Sequence, residues 1–207
     1  HALHGTLLAE QKRHADAMDA FEEALVLAPS SPEAWETLFK LGTSHQILGK
    51  LDLADQALTR AAALSPKEPK IRLSQGRLYL QLGRFEEAVE MSERADHLRG
   101  DHVETLRVLG EAYLRFDSPR EAQRTLERAL SLGTPLAETH LLHARALLAL
   151  GKTPEARREL LAALDLDPDL PEAHHELGVV LSRAGELDSA ARHLEQATRT
   201  AVDPADA

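Results

Sequence analysis

The sequence predicts an all-α solenoid of about six tandem helix-turn-helix units, and three observations carry that expectation. Aromatic residues make up only 3% of the chain while hydrophobic residues reach 43%, so the core must be built from Leu, Ala and Val, a composition that favours helix. Alanines recur at Ala17, Ala54, Ala88, Ala122, Ala156 and Ala190, with successive spacings of 37, 34, 34, 34 and 34 residues. Two further columns keep the same register: Ala24, Ala61, Ala95, Ala129, Ala163 and Ala197 seven residues later, and Gly5, Gly42, Gly76, Gly110, Ala144 and Gly178 twelve residues earlier. Small side chains at fixed places in every unit let paired helices approach where a larger residue would hold them apart.

The units fall at approximately 1–31, 32–68, 69–102, 103–136, 137–170 and 171–204, one array with a tail at 205–207. The first starts part-way into its first helix, and its second helix runs through Ala17 and Ala24 to Leu27, ahead of Pro29. Three extra residues around "PEAWETLF" in the second unit are expected as one added turn on its first helix. That helix breaks at Leu48-Gly49, as the third and fifth do at Leu82-Gly83 and Leu150-Gly151, where glycine takes the left-handed conformation that ends a helix. Second helices close on Leu64, Leu98, Leu132 and Leu166, and Pro66 and Pro168 stop the chain because proline lacks an N–H. The fourth unit carries Leu106, Leu109, Tyr113 and Phe116 at helical spacing. Gly100 and Thr134 replace proline at two junctions, which should be looser. In the sixth unit Thr198, Arg199 and Thr200 replace apolar residues, as expected of a terminal repeat with a polar outer face.

With these columns in place, "LRVLGEAYLRFDSPREAQRTLERALSLGT" (Leu106 to Thr134) resembles the tetratricopeptide repeat, and the match extends over nearly the whole chain. The resemblance implies a right-handed α–α superhelix whose first helices line a concave, non-catalytic surface for a protein or peptide partner. The groove residues it points to are Leu73, Arg77, Leu80, Arg107, Glu111, Leu114, Leu141, Arg145, Leu148, His175 and Arg183. One reading has the arginines gripping carboxylates of a partner segment and the leucines taking its apolar side chains. The other has Arg77, Arg107 and Arg145 pairing with Glu104, Glu111 and Glu138 in a solvated charge lattice. The chain contains no asparagine, so it does not resemble the subclass that clamps chaperone C-terminal tails with two asparagines. Two roles stay open at this stage: an adaptor or scaffold, or the regulatory or substrate-recruiting arm of a larger enzyme. Self-association through repeat ends is compatible with either.

Other chemistries find little support. A formal charge of −10 opposes nucleic-acid binding, which relies on Lys and Arg, and the absence of cysteine removes disulfides and thiolate sites. "GKT" (Gly151 to Thr153) lacks the glycine five residues earlier that a phosphate loop needs. His140 and His143 fall in columns that hold Leu106 and Leu109 in the fourth unit, and are expected at a helix interface rather than on a metal. The stretch "LDLDPDLPEAHHELG" (Leu164 to Gly178) spaces its acids like a calcium loop but has Leu170 at the place that demands glycine. It reads as a junction: Pro168 ends one helix, Pro171 opens the next, His174 points inward and His175 faces the groove. No cofactor is expected, nor any membrane insertion. The chain starts at His1 without methionine and reads as a fragment or processed piece, cytoplasmic unless an upstream signal directs it to a periplasmic or lipoprotein setting.

Overall fold

The computed structural model describes residues 1–29, 31–133 and 136–202, with side chains as far as Arg199. Thr134, the Thr200 side chain and the tail at 205–207 therefore lie outside the described residues. Twelve helices and no strand occur among the described residues: α1 (Ala2–Glu10), α2 (His14–Leu27), α3 (Ala34–Ile47), α4 (Leu51–Leu64), α5 (Pro69–Gln81), α6 (Phe85–Leu98), α7 (Val103–Arg115), α8 (Pro119–Ser131), α9 (Ala137–Ala149), α10 (Thr153–Leu166), α11 (Pro171–Arg183) and α12 (Leu187–Val202). Each odd-numbered helix packs on the even-numbered one that follows it. The chain divides into two compact units, residues 1–100 and 101–207, each holding three helix pairs.

In the first unit the turn inside each pair is closed in the same way. Lys12, Gly49 and Gly83 sit at φ 60, 71 and 72°, and the next amide reaches back to a carbonyl one turn down: Arg13 to Leu8, Lys50 to His45 and Arg84 to Tyr79, each 2.9 Å. The pairs then press together at the glycine column, where a β-carbon on Gly42 would lie 2.8 Å from Leu58 Cγ. Phe21, Leu38, Leu58, Ile71 and Leu78 are the large, fully buried side chains of this unit. Tyr79 adds a polar tie: its hydroxyl donates to Asp55 (3.0 Å), Arg84 donates to the same carboxylate and stacks 4.4 Å from the ring, and burial, then Asp55, push the phenol up to about 12.

The second unit repeats the plan. Asp117, Gly151 and Gly185 take φ 58, 73 and 82°, and Ser118, Lys152 and Glu186 donate back to Tyr113, Leu147 and Leu181. Leu106, Leu126, Leu160 and Leu177 are fully buried. Pro171 opens α11 and α10 ends at Leu166, so the acidic stretch between them is a junction between helix pairs, with Asp167 Oδ1 accepting the Asp169 amide at 3.1 Å.

Two expectations change. The three extra residues of the second unit do not form an added turn. α3 exceeds α5 by one residue, and the remainder lengthens the connection to 28–33, against 65–68 after α4. Ser31 explains this, because its carbonyl accepts the Ala34 amide and its hydroxyl the Glu33 amide, a local turn that competes with helix ahead of α3. Phe116, read as a helix-face residue, caps α7 and is 46% exposed.

Candidate functional site

The first-helix residues singled out from the sequence differ in exposure, and each unit has its own polar dressing. In the first unit Lys40 Nζ, on α3, donates to Thr6 Oγ1 on α1 and pairs with Glu36, both at 3.0 Å. Gln46 donates to Gln81 across α3 and α5 at 2.9 Å. Lys70 lies 4.7 Å from the centre of the Trp35 ring and 5.3 Å from that of Phe39, a cation–π contact on the α3–α5 seam. Leu73 is half-buried and Arg77 exposed, but Leu80 is only 8% exposed.

In the second unit Arg107 forks onto Glu104, one turn away on α7, at 3.0 and 2.7 Å. That hydrogen bond outweighs burial and raises the guanidinium above its ordinary value. Arg145, on α9, reaches Glu176 on α11 at 2.5 Å and ties the fifth helix pair to the sixth. Arg107 thus has the partner expected of a charge lattice. Arg145 meets Glu176 instead of Glu111 or Glu138, because α11 packs across the pair that carries Arg145. Glu111 is half-buried, and Arg183 and His175 are exposed. Leu114 and Leu148 are half-buried against the core, and Leu141, at 5%, is part of it, packed with Ala144, Leu160 and Leu177. Leu80 and Leu141 are thus buried where the other groove leucines are half-buried.

His140 and His143 are interfacial, as their columns imply. His140 Nδ1 sits 2.7 Å from Glu159 Oε2, and His143 Nδ1 lies 3.4 Å from the same oxygen, ion-pair distance rather than an aligned hydrogen bond. His143 Nε2 is 3.7 Å from Glu127. The imidazoles, His143 before His140, hold the Glu159 carboxyl below the usual range even though burial opposes them.

One open cavity, of about 430 Å³, belongs to the sixth pair and is lined by Arg145, Pro171, Glu172, His175, Glu176, Leu194, Ala197 and Thr198. Glu176 Oε2 is buried there without a hydrogen-bond partner among the described residues. Sequence reasoning found Arg145 and His175 but not Glu176, Leu194 or Ala197. The signal was present in the period: 34 residues earlier the same columns hold Leu160, Ala163 and Leu164, packed under Ala173 and Leu177 of α11. In the sixth pair the same columns line the cavity, with Ala197 buried, Leu194 half-buried and Thr198 exposed.

Among the described residues no group of His, Asp and Glu is arranged to hold a metal ion, and no helix is long and apolar enough to cross a membrane. Stacked helix pairs with polar first-helix faces define a helical-repeat scaffold, a class whose chemistry is recognition on open surfaces. Tetratricopeptide repeat profiles match residues 3–32, 39–100, 103–128 and 173–207, and a TPR repeat profile matches 144–185. The chain belongs to the tetratricopeptide repeat family, which supports a protein-interaction scaffold in general terms.

Solved structures agree on the fold. A tetratricopeptide repeat protein from Parabacteroides merdae is similar at 20% identity and a TM-score of 0.83, covering 96% of this chain and 78% of that one. The APC/C hetero-tetramer Cut9–Hcn1 gives 22% and 0.79, covering 97% of this chain and 39% of that one. MamA from Desulfovibrio magneticus gives 19% and 0.73, covering 83% and 97%. No curated protein matches the chain.

Proposed function

We infer that the chain is a non-catalytic scaffold that holds a segment of a partner protein on its first-helix faces, with the cavity at the sixth helix pair as its principal seat. The observation that carries this reading is the cavity itself, whose lining includes Leu194, Ala197 and Glu176, the last with a carboxylate oxygen that has no hydrogen-bond partner among the described residues. A partner segment places an apolar side chain on the first two, and its N–H reaches the third when the Glu176 side chain turns toward the cavity. A buried acceptor left without a donor is unfavourable, so a partner that supplies one gains specificity as well as affinity. Arg107 and Arg145 are already held by Glu104 and Glu176, and a partner carboxylate must displace those contacts.

Affinity capture from the source organism tests the reading, comparing the wild type with Thr198→Trp, which fills the cavity from its exposed rim, and with the Arg107→Glu/Arg145→Glu pair. Loss of a charge-assisted contact should weaken a captured partner by about 1–3 kcal/mol. A partner set that is unchanged in both variants would refute the cavity and the arginine face together.

A further inference from the structure

The sixth helix pair holds a titratable couple, one ring buried and the other half-buried, that lies outside the cavity. His174, on α11, is 9% exposed, and its Nε2 lies 2.8 Å from the Pro168 carbonyl oxygen. A carbonyl only accepts, so Nε2 carries the hydrogen, and the Nδ1 of a neutral ring is left as an acceptor. Nδ1 of His193, on α12, is 2.9 Å from that nitrogen, with the ring centres 5.1 Å apart. The single hydrogen between the two rings therefore comes from His193.

The repeat supplies its own control. The residues 34 positions earlier are His140 and Glu159, and there the histidine Nδ1 meets a carboxylate oxygen at 2.7 Å. In the fifth pair an incoming proton finds a negative partner. In the sixth it finds a second imidazole. A second proton would leave two N–H groups facing each other across 2.9 Å.

The ionisable residues on the elements packed around the couple are Asp165, Asp167 and Asp169 at the end of α10 and its turn, Glu172, His175, Glu176 and Arg183 on α11, Glu186 in the turn that follows, and Asp188, Arg192, Glu195 and Arg199 on α12. Among the described residues none of their carboxylates is within ion-pair distance of either ring. Arg192 adds like charge instead. Burial, then His174 and Arg192, hold His193 below the ordinary histidine value.

We propose that the His174–His193 couple is a pH-sensitive latch that fastens α12 to α11 while both rings are neutral and lets go when they are protonated. Because the native state takes the His193 proton less readily than the unfolded chain, the grip is complete above the histidine range and weakens as pH falls through it. What remains to hold α12 is Ala190, Ala197 and Leu194, the last wedged against Gly178. Leu194 and Ala197 also wall the cavity, so release remodels the seat. That consequence rests on the function proposed above, whereas the latch does not.

Hydrogen exchange of the α12 amides, corrected for intrinsic exchange and referred to α8, measures the latch from about pH 7.5 to about pH 5, the span in which histidine titrates. In the wild type, α12 protection should fall at least about tenfold relative to α8. His193→Glu, which installs the arrangement of the fifth pair, should abolish the fall. Equal protection at both ends of the range in the wild type, or an undiminished fall in His193→Glu, overturns the proposal. Imidazole NMR titration of the unmodified chain gives a second reading, independent of whether the variant folds, and a His193 midpoint at or above 6.5 overturns it as well. Loss of partner capture by Thr198→Trp with no pH response in α12 would leave the scaffold reading standing and remove the latch alone.

Discussion

Gly110 offers the sharpest test of the packing, because two effects of known size oppose each other there. Replacing a helix-interior glycine with alanine stabilises a helix by about 1 kcal/mol. A β-carbon on Gly110, however, would lie 2.5 Å from Leu126 Cγ and 2.6 Å from Cδ2. Leu126 has no exposed surface and is enclosed by Ala122, Leu142 and Ala146, so it cannot swing clear. Overpacking of this kind costs about 1–3 kcal/mol, which leaves Gly110→Ala neutral to destabilising by about 2 kcal/mol. In a Leu126→Ala background, itself destabilised by about 2–5 kcal/mol, the obstacle is gone. There Gly110→Ala should stabilise by about 0.5–1 kcal/mol, a coupling of about 1–3 kcal/mol between the two sites. Urea unfolding followed by far-ultraviolet circular dichroism on the four proteins closes the cycle. Gly110→Ala with the same effect in both backgrounds would refute the argument that this column exists for close approach.

Two further outcomes follow from the same geometry. Lys12 holds φ 60° where the second and third pairs use glycine, so Lys12→Gly should raise stability by about 1 kcal/mol, read as a higher urea midpoint. Glu159 is held below the usual carboxylate range by His143 and His140, so its contribution is present above pH 4.5 and is lost as pH falls through its lowered value. Thermal melts should show Glu159→Gln less stable than the wild type near neutrality, the gap closing in acid. A constant gap would mean that the charge is not what Glu159 contributes.

The repeat register was legible because it depends on size alone. Wherever two helices touch, as at Gly42 against Leu58 or Gly110 against Leu126, the touching position must be small in every unit, and the period follows. The three extra residues ahead of α3 were not legible in this way. A serine-proline stretch can lengthen a helix or a loop, and the Ser31 turn chose the loop. Burial of Leu80 and Leu141 was not legible, because helical spacing gives a residue's direction on its own helix but not how closely the next helix covers it. Of the site, Arg145 and His175 were found as surface residues. Glu176, Leu194 and Ala197 were not, because a cavity belongs to several helices at once and no single stretch records it.

The amino-acid sequence by itself determined the helical period, the pairing of each first helix with the one that follows, the left-handed turns at Gly49, Gly83 and Gly151 and the inward turn of His174. These depend on side-chain volume and backbone conformation, which recur from unit to unit. Only the tertiary structure decided that Arg145 meets Glu176, that His140 faces a carboxylate while His174 faces another histidine, and that the cavity opens beside α12. Hydrogen bonds and ion pairs are made or lost within a few tenths of an ångström, and the approach of one helix to the next sets that distance.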